Sequence, residues 1–172
     1  FGNANKIMNR LLFDGFENFG LRVSELKGGG LRNAIPRESN AQVVIDAVHE
    51  DAFLHELGLL ISDIKTELKT NEPQLQIAFN KTNLPKQVME LGVQEGLIKA
   101  IYAACNGVYR MSADIPNLVE TSNNIASVSV ENGHIKVACL TRSSVESSKI
   151  DLANSLRATF ELMGCDVSLS GD

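Results

Sequence analysis

Tryptophan is absent from the 172 residues, and two Tyr and seven Phe supply all the aromatic surface. Proteins that hold single-stranded nucleic acid stack bases on aromatic side chains, and those that hold duplexes cluster Lys and Arg. With a formal net charge of −5, this chain points away from both. Cysteines number three, Cys105, Cys139 and Cys165, widely spaced and in apolar contexts. They do not form a disulfide framework and read as buried thiols of a reducing compartment, which places the protein in the cytoplasm. No apolar run approaches the roughly 20 residues of a membrane span, and no signal-peptide pattern stands at Phe1, so no membrane partner is expected. Histidines are as scarce as cysteines: His49, His55 and His134, without a His-Glu-x-x-His pair. Asp51 and His55 share a helix face, but two ligands do not make a zinc site. No serine lies in a Gly-x-Ser-x-Gly elbow, and Glu50-Asp51 is accounted for by the dipole at a helix start. Neither a catalytic centre nor a metal site is therefore expected, and the chain alone should not turn over a substrate.

What is present is the composition of a soluble globular protein, 44% hydrophobic and 22% charged. The length suits one domain, or two small subdomains sharing a sheet. Phe1-Gly2 runs at once into a helix start, as expected of a piece of a longer chain. The clearest stretch is Val119–Ser144. Val128 and Val130 alternate with serines, Ile135, Val137 and Cys139 alternate with His134, Lys136 and Ala138, and Asn132-Gly133 between them suits a type I′ turn. This predicts a β-hairpin whose second strand ends at Arg142. A guanidinium never loses its charge, so Arg142 is either a solvated strand end or an anion clamp.

The remaining elements follow from periodicity. Asn3 or Asn5 caps a first helix with Ile7, Met8, Leu11, Leu12 and Phe16 as its stripe. Leu21–Leu26 alternates as a strand, and Ala41–Val48 reads as the best buried strand of the first half. A helix over Glu50–Thr70 carries Phe53, Leu57, Leu60, Ile61, Ile64 and Leu68. Leu75–Phe79 alternates as a strand, and Leu84-Pro85 opens a helix to about Ala104. In that helix Gly92 and Gly96 would allow a close crossing. The segment from Cys105 to Asn117 reads as a loop. Glu146–Met163 is a helix with Leu152, Leu156, Phe160 and Met163 inward, and Cys165–Leu169 a last strand. This order, α-β-β-α-β twice, predicts an α+β fold of two duplicated ferredoxin-like units, an antiparallel sheet with helices on one face, divided at about residues 1–80 and 81–172.

Gly28-Gly29-Gly30 lacks the Lys-Ser/Thr of a phosphate-binding loop. It is either a flexible turn or a place of close backbone approach that leaves Asn33 free to present its amide. Pro36 places this segment at a sheet edge or rim.

GNANKIMNRLL, GGGLRNAIPRE, CNGVYRMSADIPNLVETS, CLTRSS and CDVSLSGD together resemble, in order and over essentially the whole chain, the lid domain of bacterial aminoacyl-histidine dipeptidases. The resemblance implies a lid of residues 1–172, inserted in a cytosolic metallodipeptidase whose separate catalytic domain holds two zinc ions. Its partners would be that catalytic domain and a dipeptide substrate. By motif, Asn33 in RNAIP matches the asparagine that hydrogen-bonds substrate, and Arg142 in LTRSS the arginine that grips the substrate carboxylate. A histidine of relatives that polarises the scissile carbonyl would fall before Phe1, and the zinc ligands lie outside this chain. A strand missing upstream would leave an open sheet edge that invites pairing with a second copy, a homodimer. The competing expectation is a self-standing ferredoxin-like regulatory or dimerisation module, with a small effector at Gly28–Gly30.

Overall fold

In the computed structural model, which describes residues 2–171, four helices share a core with one face of an open, five-stranded antiparallel sheet. The elements are α1 (Ala4–Phe19), β1 (Arg22–Gly28), β2 (Ser39–Val44), α2 (Glu50–Leu68), α3 (Leu91–Ala103), β3 (Gly107–Met111), β4 (Val119–Glu131), β5 (His134–Ser143) and α4 (Glu146–Glu161). A short 3-10 turn, Ala47–His49, precedes α2. The fold is α+β.

Strand β4 is the spine. One edge pairs with β5 from Thr121↔Ser143 to Glu131↔His134, closed by the predicted Asn132-Gly133 turn with both residues at positive φ. The other edge is shared. β1 pairs with Val128–Val130, β3 pairs near the start of β4 as far as Asn123, and β2 adds outside β1. A bulge between Ile125 and Ser127 inserts one residue. It keeps Thr121, Asn123 and Ile125 on the same buried side as Val128 and Val130.

Between Asn123 and Val128 this edge of β4 has no strand beside it, and side-chain amides take its place. The Ile125 N–H donates to Asn106 Oδ1 at 2.9 Å. The Ile125 carbonyl accepts from Asn3 Nδ2 at 3.1 Å and Asn5 Nδ2 at 3.3 Å. A buried backbone group left unpaired would cost as much as a lost hydrogen bond. The asparagines at the start of α1 therefore do more than cap: Asn3 accepts from Lys6 N, and the same side chain bridges to the sheet. Lys6 in turn donates to the carbonyls of Ile101, Tyr102 and Ala104, closing the C-terminus of α3.

The main core joins Leu12, Val23, Leu26, Phe53, Leu97, Ile101, Ile125, Val128, Leu152, Leu156 and Phe160, so every helix contributes. A smaller cluster of Leu11, Ile61 and Ile64 lies between α1 and α2. Gln94 of α3 is fully buried in this apolar setting. It behaves as a ladder partner of β1: its Nε2 donates to the Leu21 carbonyl at 2.8 Å and its Oε1 accepts from Val23 N at 2.7 Å.

Several expectations are corrected in detail. The first half reads α-β-β-α, but the second holds three strands, α-β-β-β-α, and Leu75–Phe79 and Cys165–Leu169 lie outside any ladder. They alternate in burial, with Leu75 and Ile77 against the smaller cluster and Cys165 and Val167 against the main core, yet they pair with no strand among the described residues. The expected loop after Ala104 contains β3, whose five residues are all exposed and so carry no alternation to read. Strand β2 ends at Val44, because the Asp46 side chain accepts from Val48 N and turns the chain; its residues are half-buried except the exposed Asn40, as suits an edge. Helix α3 starts at Leu91 rather than Leu84-Pro85, with the Glu90 carboxylate accepting from Gly92 N and Val93 N. Gly92 therefore lies in the first turn. Gly96 does permit a close approach, by Met163 just beyond the end of α4.

Candidate functional site

The loop Gly29–Glu38 is fixed at both ends. Gly29 adopts φ +69, and a Cβ there would overlap the Ala126 carbonyl oxygen at the β4 bulge; a Cβ at Gly28 would overlap Asn5 Oδ1, while Gly30 faces open space. Two of the three glycines thus serve close packing, and the Asn5 side chain fills the space beside Gly28 from within the fold. Gly29 N donates to the Glu38 carbonyl, closing the loop at its base. Pro36 is buried, and its carbonyl accepts from Ala4 N at 3.1 Å. The Ala34 carbonyl accepts from Asn124 Nδ2 at 2.8 Å. Between these anchors Asn33 is exposed, and its amide makes no hydrogen bond among the described residues.

Arg142 stands on β5 opposite Ser122. Its neighbours Thr141 and Ser143 turn inward to bond Asn123 and Thr121, so Arg142 points to the outer face and is exposed. Of the seven arginines, Arg10, Arg37, Arg110 and Arg157 meet carboxylates. Arg22 and Arg32 meet backbone carbonyls. Arg142 has no partner among the described residues. Asn124 lies diagonally from it across the β4–β5 ladder, a relation that puts two residues about 7–8 Å apart. The structure therefore ties Asn33 and Arg142 to the same stretch of β4, although no hydrogen bond joins the two. Neither lines the groove at the hairpin tip or the one between α1 and α2.

The other candidates are dispersed. His49, His55 and His134 are exposed, and His49 meets the edge of the Phe19 ring at 6.4 Å. Among the described residues no group of three or more His, Cys, Asp or Glu is placed to hold a metal ion. The described residues therefore do not fit a zinc centre. The three thiols are free and half-buried; burial raises all of them, Cys139 to about 11, which leaves them unreactive as nucleophiles near neutrality. Residue-level reasoning missed Asn124 and Asn106. The signal was there: Asn123-Asn124 stands inside a strand, where Asn is depleted and needs a reason.

No protein-family profile matches the chain. The cytosol non-specific dipeptidase of Escherichia coli (strain K12) is 31% identical over 170 residues, which is 99% of this chain and 35% of that protein. The crystal structure of aminoacylhistidine dipeptidase from Vibrio alginolyticus superposes with a TM-score of 0.94 at 35% identity, again over 99% of this chain and 35% of that one. The chain is thus a dipeptidase-related domain. It spans about a third of the length of each of these two relatives. Among the described residues no helix is long and apolar enough to cross a membrane.

Proposed function

We propose that this chain is the substrate-binding lid of a cytosolic two-zinc dipeptidase acting on Xaa-His and related dipeptides. The observation that carries the reading is Arg142: an arginine on a well-paired strand, exposed, and alone among seven in having no partner in the described chain. A guanidinium fork pairs with a carboxylate through two parallel, charge-assisted hydrogen bonds, and a dipeptide always offers a carboxylate at its C-terminus. Asn33, held by its flanking backbone but with a free amide, donates to the scissile carbonyl as its oxygen gains charge. Both groups lie on open surface, so a dipeptide would be enclosed only when a second surface faces them. That surface is the catalytic domain, which supplies the zinc ions and the water activation this chain lacks. The isolated chain is accordingly inactive.

The test uses the complete dipeptidase. Arg142→Ala should raise KM for a dipeptide and lower kcat/KM by roughly ten- to a hundredfold, the worth of about 1.5–3 kcal/mol for charge-assisted bonds. Lys should rescue poorly because a point charge lacks the planar fork. The same substitution should leave the slower hydrolysis of the C-terminal amide almost unchanged. Equal losses on both substrates would refute the carboxylate clamp.

A further inference from the structure

Asn33 is exposed on a loop of ten residues, yet the proposed role requires its amide to stand at a fixed place relative to Arg142. The two residues share no bond, so something else must set their spacing. Three contacts identify it. Asn124 Nδ2 donates to the Ala34 carbonyl at 2.8 Å, one residue from Asn33. Asn124 Oδ1 accepts from Asn3 Nδ2 at 3.0 Å. The Cα register puts Asn124 opposite Leu140 and Ser122 opposite Arg142, so Asn124 and Arg142 are diagonal neighbours on one face. Asn124 is half-buried, and the bulge that follows it lies where Gly29 packs at the base of the same loop.

We propose that Asn124 is a positioning residue: its side-chain amide fixes the Asn33 loop in register with Arg142, so that the carbonyl-binding and carboxylate-binding groups keep a fixed separation. Both faces of the amide are needed. The NH2 holds the loop, and the oxygen is itself held by Asn3, the cap of α1, which also bonds Asn106 Oδ1 and the Ile125 carbonyl. Rotation of the amide would break the two bonds at once, because donor and acceptor would exchange places. A Ser or Ala at this position lacks the reach to the Ala34 carbonyl. An Asp keeps the acceptor for Asn3 but faces the Ala34 oxygen with a second oxygen. The inference rests on the proposed role of Asn33, but part of its test does not.

In the isolated chain, the side-chain NH2 protons of Asn124 should be resolved and slow to exchange by NMR, and those of Asn33 fast. Asn124→Ala should speed backbone hydrogen exchange within residues 31–36 about tenfold, without a comparable change in the β4–β5 ladder. Fast exchange of the Asn124 amide in the unaltered chain, or loop exchange unmoved by the substitution, overturns the proposal whatever Asn33 does. In the complete dipeptidase Asn124→Ala should lower kcat roughly two- to tenfold, the range of one neutral hydrogen bond, with KM for the dipeptide nearly unchanged. The Asn33→Ala/Asn124→Ala pair should be no slower than Asn33→Ala alone, since Asn124 acts through Asn33. Multiplicative losses in the pair would show that Asn124 acts elsewhere and refute the positioning role. Loop exchange that quickens while neither Asn33→Ala nor Asn124→Ala alters kcat would refute the role of Asn33 and, with it, the catalytic part of the proposal.

Discussion

Gln94 offers the sharpest test of how this fold satisfies its buried backbone. Its side chain is fully buried and bonds two main-chain groups at the start of β1, the Val23 N–H at 2.7 Å and the carbonyl of Leu21 just before the strand at 2.8 Å. Gln94→Leu keeps the approximate volume and removes both bonds. Each buried backbone group left without a partner costs about 1–3 kcal/mol, so the pair amounts to roughly 2–6 kcal/mol, partly offset by the more apolar side chain. For a chain of this size about 1 kcal/mol moves Tm by about 2–4 °C, which predicts a fall of order 10 °C and a matching drop in the urea midpoint. Gln94→Glu separates the two bonds. A protonated carboxyl donates to the Leu21 oxygen and accepts from Val23, nearly as the amide does, whereas a carboxylate only accepts and sits without counter-charge. Burial would raise its folded pKa above the unfolded value, about 4.3. The stability it contributes is then full below that value and is lost as pH rises through the folded pKa. Thermal melts followed by circular dichroism from pH 4 to 8 would show this slope in Gln94→Glu and not in the unaltered chain. A Gln94→Leu variant within about 1 kcal/mol of the parent at neutral pH would refute the view that side-chain amides here stand in for strand pairing.

Three further outcomes follow from the same geometry. Gly29→Ala should destabilise by several kcal/mol, because φ +69 and the Ala126 carbonyl both oppose a Cβ, whereas Gly30→Ala should be near neutral; paired urea melts decide it. Cys139, raised by burial from 9.0 to about 11, should make stability fall between about pH 9 and pH 11, as the unfolded thiol ionises first; Cys139→Ala should flatten that slope. At pH 7.5 the same thiol should resist alkylation in the folded chain and react at once in urea, read by mass spectrometry.

The sequence was most legible where local rules and burial agree. The hairpin, α1, α2 and α4 show alternation or a helical stripe that survives in the fold, and the hydrophobic stripe of α4 (Leu152, Leu156, Phe160) is buried as read. It was misleading where alternation reflected packing without pairing. Leu75–Phe79 and Cys165–Leu169 bury alternate residues, which is what period two reports, but a ladder also needs a neighbour, which no local pattern shows. β3 fails in the opposite sense: it pairs with β4 yet buries nothing. For the site, RNAIP and LTRSS located two unpartnered polar groups by resemblance. Their mutual register could not be read, since it depends on Asn3, Asn106 and Asn124 meeting from three distant parts of the chain.

The divided edge of β4 also bears on the order in which the chain assembles. The β4–β5 hairpin closes through a two-residue turn, the kind of event that takes about 1–10 μs in isolation. β3 also reaches β4 across a short connection, Met111 pairing with Val119, whereas β1 joins it from a distant stretch, as in Leu26 with Val130, and must first meet the entropy of closing a long loop. The hairpin would then exist before β1 arrives at its free edge. The bulge and the asparagines between the landing places of β1 and β3 leave each strand one position to occupy. Mutations in β4 and β5, such as Val128→Ala and Val137→Ala, should give high φ-values, and those in β1 and β2 low ones. The amides of the gap would lock last, making the presentation of Asn33 among the final steps of folding.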